Sequence, residues 1–437
     1  MRGVLVMPDR HASLALMTKD HMPSTLRFLL AARRCELHGL EGLARTCELV
    51  VLVSRLVHAL QKERGYSILY LCRVQDRLLV TLAQLTQDAA TIERDVRQFL
   101  DQLEPDAIRT SEKARLLNGI AYVLYRLEEM ADVRRRVREQ CMSVDEADTA
   151  FTRLISTLLA VVFEAADSAL DSDVTRILVA LLNVMQGKEL SGQERACGVM
   201  GLTRGHLSSL QKTRLHALGA SQRRCFDAFA SFAGDDLLAL WANVTQQEQP
   251  VQRMRELMLA TETGHQVDAG LAELWFDLCT VRIDAMHTVE TQLAQALARQ
   301  CEKRIADTRE ELVDRRLLLG RFAEQASGAS PGMVFSLQGR MVDEPSSDGV
   351  GGDMARSLLD IMRDQTLRMQ RADEALQAAR GALDERKQVE RAKWLLVSRH
   401  GLTEQGAHER LQRAAMDGGV SMAEVARQIL EDAGHRA

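Results

Sequence analysis

The sequence predicts an all-α protein: a long-helix bundle, a Gly/Ser/Pro-rich linker, a coiled-coil stem and a small three-helix domain. Three observations carry that expectation. Proline removes an amide donor and clashes with the preceding turn, and it occurs only six times in 437 residues, never between Pro105 and Pro250. Aromatic residues make up 4% of the chain, while the helix formers Leu, Ala, Arg, Glu and Gln abound. Apolar residues recur at gaps of three and four, and no alternating run bounded by turn residues marks a strand before about residue 325.

Residues 1–22 lack periodicity and read as a loose leader. Pro23-Ser24-Thr25 opens a helical region, 23–325, because proline is tolerated in a first turn and Ser or Thr caps exposed amides. Breaks are expected near Gly39, at Glu104-Pro105-Asp106, at Ser143-Val144-Asp145, at Asp171-Ser172-Asp173 and at Gln249-Pro250. The segments between them are longer than ordinary globular helices, as in up-and-down bundles. Residues 326–353, rich in Gly, Ser and Pro, read as an interdomain linker. Gly349 to Gly352 follow no strand and lack the lysine of a phosphate-binding loop.

Residues 354–383 form the stem, where Met362, Met369, Leu376 and Leu383 fall seven apart. That narrow seam suits a coiled coil between two copies or packing on the bundle, and a homodimer is expected. In 384–437, Gly401 closes one helix and Thr403 caps the next, which carries Ala407, Leu411 and either Ala414 or Ala415 inward. Gly418-Gly419 ends it, and Ser421 with Glu424 makes a capping box for a last helix with Val425, Ile429 and Leu430 inward.

Composition narrows function. A net charge of -5 is mild for this length, so no global basic field points at nucleic acid, and any such contact must be local. The eight cysteines are scattered, with no CxxC pair, which fits buried thiols in a reducing cytosol and not a disulfide frame or zinc site. No signal peptide is evident, and the most apolar segments, around 49–60 and 154–163, read as too short and interrupted to span a bilayer. A cytoplasmic protein without cofactor or metal is expected.

One stretch breaks the amphipathic rule. Val53, Val57, Leu60, Ile68 and Leu71 share a helix face with Arg64. A guanidinium cannot escape burial by deprotonating, so it needs a carboxylate, carbonyls or a bound anion. The oddity recurs at Arg195, which continues a face through Leu181, Met185, Lys188 and Gly192. Each arginine follows a glutamate and precedes a small residue, Gly65 or Ala196, which points to a small anion held between helices. Arg255 shares a stripe with Val251 and Met258, whereas Arg253 points elsewhere. Glu63 and Glu194 could pair with these arginines, His58 reads as a packed, hydrogen-bonded core histidine, and Lys188 as a source of local positive potential.

Two resemblances sharpen this reading. Glu390-Arg391-Ala392-Lys393-x-Leu395-Leu396, Gly401-Leu402-Thr403-Glu404, Ala407, Leu411-x-x-Ala414 and Val425-Ala426 resemble the ANTAR family of RNA-binding domains; Trp394 stands where that family often has glycine and Val397 where it often has methionine. His58-x-Leu60-Gln61-x-Glu63-Arg64-Gly65 and Lys188-Glu189-x-x-Gly192-Gln193-Glu194-Arg195-Ala196 resemble the NIT family, which senses nitrate and nitrite. The order of the two resembles a nitrate- and nitrite-responsive antiterminator. The resemblance implies a non-enzymatic regulator with Arg64, Arg195 and Arg255 on the anion, since a planar guanidinium fork matches a planar oxyanion. It further implies a leader RNA hairpin as partner. Residues 386–413 carry a local excess of four positive charges, and Lys393, Arg410, Arg413, Arg386 and Lys387 are the candidate backbone contacts. Two other classes stay open: a helix-turn-helix DNA-binding regulator, separable by protection of leader RNA but not its template, and an enzyme with an anionic substrate, separable by turnover.

Overall fold

The computed structural model describes residues 24–102, 113–167, 169, 171–260, 268 and 270–326, then 381, 388–389, 391–393, 395–396, 402, 404–418 and 420–434. Among the described residues every regular element is a helix. They are α1 (Ser24–Cys72), α2 (Asp76–Asp101), α3 (Lys113–Arg138), α4 (Val144–Asp167), α5 (Ser172–Thr203), α6 (Ser209–Phe232), α7 (Asp235–Ala260), α8 (Leu271–Ala326), α9 (Glu404–Gly418) and α10 (Met422–Gly434). The leader, the break at Glu104–Asp106, the linker from residue 327, the seam from Met362 to Leu383, and Arg386, Lys387, Trp394 and Val397 lie outside the described residues.

Local chemistry sets several helix starts. Ser143 and Glu146 form a reciprocal capping box before α4, with Ser143 N donating to Glu146 Oε2 at 2.9 Å and Glu146 N to Ser143 Oγ at 3.2 Å. Asp171 caps α5, accepting from the amides of Asp173 and Val174 at 3.1 Å each. Among the described residues, the turns at 73–75, 204–208 and 233–234 had no counterpart among the expected breaks, nor did the end of α7 at Ala260. Gly205 (φ 79) follows the end of α5, and its left-handed backbone is the conformation that stops a helix without a Cβ penalty.

Two expected breaks are absent. α1 runs unbroken through Gly39 and α7 through Pro250. An isolated glycine costs a helix about 1 kcal/mol relative to alanine and an internal proline about 3. For α7, burial of Val251, Met254, Arg255 and Met258 beyond the proline offsets that penalty. By length and composition alone, Val144–Ala166 within α4 could cross a membrane. Here it packs against α3 and α5 and buries Phe151, Leu154, Ile155, Leu158 and Val162.

The described residues divide into two compact units, those within 1–43 and 301–369 and those within 44–300 and 370–437. In the first, Arg309 Nη2 donates to Glu41 Oε1 at 2.7 Å. In the second, α1 and α8 run antiparallel, since contacts pair Ser54 with Glu290, His58 with His287, Tyr66 with Phe276 and Arg73 with Glu273. The helix at the centre is α5. Leu181, Leu182, Asn183, Val184 and Met185 are all buried in succession, which no one-sided amphipathic helix achieves. The sequence reading gave α5 one inward face; it has no outward one along that stretch. Four of the eight free cysteines, Cys47, Cys197, Cys279 and Cys301, are buried, while Cys35 and Cys141 are exposed against expectation.

The C-terminal helices have a small core of their own. Ala392, Leu396, Ala407, Leu411, Ala415, Val425 and Ala426 are buried together, with Leu402, Ile429 and Leu430 packed on them. Ala415 takes the inner position and Ala414 is exposed, so four-residue spacing from Leu411 decides between the two. Ser421 Oγ accepts from Glu424 N at 3.1 Å, at the start of α10.

Candidate functional site

Arg64 and Arg195 meet where α1 crosses α5. Arg64 is fully buried and Arg195 nearly so. Each guanidinium lies against a glycine of the other helix: a Cβ on Gly65 would collide with Arg195 Nη2, and one on Gly192 with Arg64 Nη2. Two glycines are what let two cationic side chains pass a helix–helix contact this close.

The two arginines are satisfied differently. Arg64 Nη1 and Nη2 donate to Glu189 Oε1 and Oε2 at 2.5 and 3.1 Å, a two-pronged pair, and Nη1 also reaches Thr152 Oγ1 at 3.0 Å. Asp148 Oδ1 lies 4.0 Å from Arg64 Nε. Burial opposes the charge on Arg64, but Glu189 and Asp148 hold its pKa above the ordinary guanidinium value. Burial pushes the Asp148 carboxyl up in turn. Arg195 donates only to neutral acceptors, Thr280 Oγ1 at 2.8 Å and the Gln61 carbonyl at 3.0 Å, and its Nε has no partner. Its guanidinium carbon sits 4.7 Å from the centre of the Phe276 ring. Burial first, then the neighbouring Arg64 charge, pull its pKa down to about 10.

Arg255 is engaged elsewhere. Its Nε and Nη2 donate to Glu194 Oε1 and Oε2 at 2.5 and 3.1 Å, and Nη1 to Glu248 at 3.3 Å and to Gln252. Arg282 joins the cluster through Gln222 Oε1 at 3.0 Å and Glu248 Oε2 at 2.5 Å. Burial lowers the Arg255 pKa, but Glu194 and Glu248 outweigh it and hold the group above its usual range. Glu194 therefore pairs with an arginine of the set, as expected. Glu63 does not: it binds Arg134, whose Nε and Nη2 donate at 2.8 and 3.0 Å.

A third buried cluster flanks the first. Glu290 accepts from Ser54 Oγ at 2.6 Å and from Lys188 Nζ, and His287 Nδ1 lies 3.2 Å from it. Lys188 is thus neutralised by a carboxylate and is not a loose source of potential. His58 stacks on His287, with ring centres 3.5 Å apart, but its Nδ1 has no hydrogen-bond partner, contrary to expectation. Burial and then Lys188 hold His58 far below the usual imidazole range, so it is uncharged.

The sequence reading missed Glu189, Gln61, Thr152, Thr280 and Arg282 as site residues. Only Glu189 left a local signal, lying four residues before Gln193, whose amide donates to it at 3.0 Å. The others depend on which helices touch. In the C-terminal domain, Arg410 and Arg413 are exposed on α9, three residues apart and so on adjoining parts of its surface, and Lys393 is half-buried.

Residues 55–298 match the NIT family, described as nitrate and nitrite sensing, and residues 377–430 match the ANTAR domain. The chain is 31% identical over 409 residues to the nitrate regulatory protein of Klebsiella oxytoca, covering 93% of this chain and 95% of that one. A 52-residue segment is 52% identical to the transcriptional regulatory protein PdtaR of Mycobacterium tuberculosis, covering 12% of this chain and 25% of that one. The solved structure of the NasR transcription antiterminator shares 28% identity, with 94% of this chain and 100% of that one covered and a TM-score of 0.54.

Proposed function

The chain belongs to the NIT family of nitrate- and nitrite-sensing proteins and carries an ANTAR domain after the sensor, and from that premise we propose how it senses and what it binds. It is a nitrate-responsive antitermination regulator. The anion is held between Arg64 and Arg195. Arg255 positions Glu194, the residue beside Arg195, in place of touching the anion itself. The observation that carries this reading is Arg195: a buried guanidinium whose hydrogen-bond partners are a hydroxyl and a carbonyl. A buried cation without a carboxylate is costly, and a planar monoanion compensates it. Nitrate offers delocalised oxygens in a plane, which a guanidinium fork meets and an ammonium does not.

Occupation of the sensor controls whether the C-terminal domain engages a hairpin in a leader transcript, and the bound hairpin keeps a terminator from forming. Exposed Arg410 and Arg413, with Lys393, supply phosphate contacts, and Arg386 and Lys387 extend that basic stretch. No catalytic step is involved, no cofactor is needed, and the protein works in the cytoplasm as a homodimer. The test is nitrate titration by calorimetry with a leader read-through assay. Arg64→Ala should weaken nitrate at least about tenfold, from loss of a charge-assisted contact, and Arg64→Lys should rescue poorly. Lys393→Ala and Arg413→Ala should keep nitrate binding while weakening the RNA and flattening its salt dependence. Wild-type nitrate affinity in Arg64→Ala would remove the proposed site.

A further inference from the structure

The Arg64 fork is already filled. Glu189 meets both of its terminal nitrogens with both carboxylate oxygens, in the two-pronged geometry that a planar oxyanion would use. An anion cannot take that fork while Glu189 holds it. We propose that Glu189 is a built-in competitor, and that binding is an exchange in which Arg64 releases Glu189 and takes the anion, which then also meets Arg195. This rests on the reading of Arg64 and Arg195 as the anion holders.

Two further features support the exchange. First, Glu189 has other donors waiting. Gln61 Nε2 donates to its Oε2 at 2.9 Å and Gln193 Nε2 to its Oε1 at 3.0 Å. Released by Arg64, the carboxylate keeps both, so two hydrogen-bond donors still hold it after the exchange. Gln61 also accepts from Arg195 Nη2 through its carbonyl, so one residue touches the partners on both sides. Second, the charges balance for a monoanion. Arg64 and Arg195 against Glu189 leave one net positive charge at the α1–α5 crossing, and Asp148, whose carboxyl burial pushes up, is shared with Arg214 at 3.5 Å. One negative charge neutralises the crossing, whereas a dianion would overshoot it. Glu189 thereby sets both the affinity and the charge selectivity of the site.

The exchange also gives the ligand a hold on packing. Glu189 ties α5 to α1 directly, through a pair 125 residues apart in sequence. After exchange the tie runs from Arg64 through the anion to Arg195, farther along the same helix. A ligand shifts an equilibrium only by binding two arrangements differently, and a change of partner across a helix contact supplies that difference.

The experiment uses the full chain, titrated with potassium nitrate and, separately, potassium sulfate at constant ionic strength. Glu189→Gln keeps the shape and one of the two amide contacts but removes the competing charge. Nitrate should bind at least about tenfold more tightly than to wild type, because a charge-assisted competitor is gone. Sulfate, silent with wild type, should become measurable. Glu189→Asp, which shortens the arm by a methylene, should give a smaller gain and serves as the readout if Glu189→Gln does not fold. Nitrate bound equally or more weakly by the variant, with wild type binding normally, overturns the exchange and leaves the site standing. No nitrate binding by folded wild-type protein overturns the site and the exchange together.

Discussion

Two pairs of buried arginines lie in the same bundle, and they differ in what faces them. Arg255 and Arg282 look onto Glu194, Glu248 and Gln222, so two carboxylates face two guanidiniums. Arg64 has one two-pronged carboxylate, Glu189, with Asp148 4.0 Å away, whereas Arg195 meets only neutral oxygens and an aromatic face. The pKa of Arg255 is held up while that of Arg195 is pulled down to about 10. Burial is the same in kind at both places; compensation is not. Burial of a charge is common to both places, and the missing carboxylate at Arg195 is what supports the anion site proposed above.

The most forceful way to break this contrast is to remove the shared carboxylate. Glu194→Ala should leave Arg255 and Arg282 with only Glu248 between them and cost about 3–5 kcal/mol, the usual penalty for removing one side of a buried pair. Urea unfolding reads it, and a loss below about 1 kcal/mol would mean that this cluster is not the structural one. The opposite substitution sharpens the contrast. Arg195→Met removes a cation that no carboxylate balances, so stability should stay within about 1 kcal/mol of wild type or rise. Nitrate affinity should meanwhile fall at least about tenfold, because a charge-assisted contact is lost. If Arg195→Met unfolds the protein as Glu194→Ala does, the two clusters do the same job.

The smallest effect probes the cation-rich side with a proton. His58 stacks on His287, and its pKa is held below the ordinary 6.5 by burial and then by the Lys188 charge. The unfolded chain therefore binds a proton below that value that the folded chain refuses, so stability falls as pH drops below 6.5. The slope from this group is at most about 1.4 kcal/mol per pH unit. Melting between pH 5 and 7 measures it, and His58→Gln should flatten the profile. An unchanged slope in His58→Gln would assign the acid sensitivity to other groups.

The inward placement of Arg64 and Arg195 was legible from spacing alone, because helical periodicity is a property of neighbours a few residues apart. So were the starts of α4, α5 and α10, where a short polar side chain caps amides within its own turn. Gly39 and Pro250 misled, since their local penalties of about 1 and 3 kcal/mol are smaller than what a long buried face returns. Paired signals in the two Glu-Arg motifs identified the anion-sensing class, but not the division of labour between the arginines.

That division belongs to the tertiary structure. Whether Arg64 faces Glu63, one residue away, or Glu189, 125 residues away, depends on how α1 and α5 are rotated and where they cross. The sequence by itself determined an all-helical chain with charged residues forced inward. Only packing decided which of those charges are balanced, because a salt bridge between helices has a range of a few ångströms and the register between distant helices is set by the whole core. Gly65 and Gly192 show both levels at once: as letters they are small residues beside or near an arginine, and in the fold they are the two surfaces on which the opposing guanidinium groups rest.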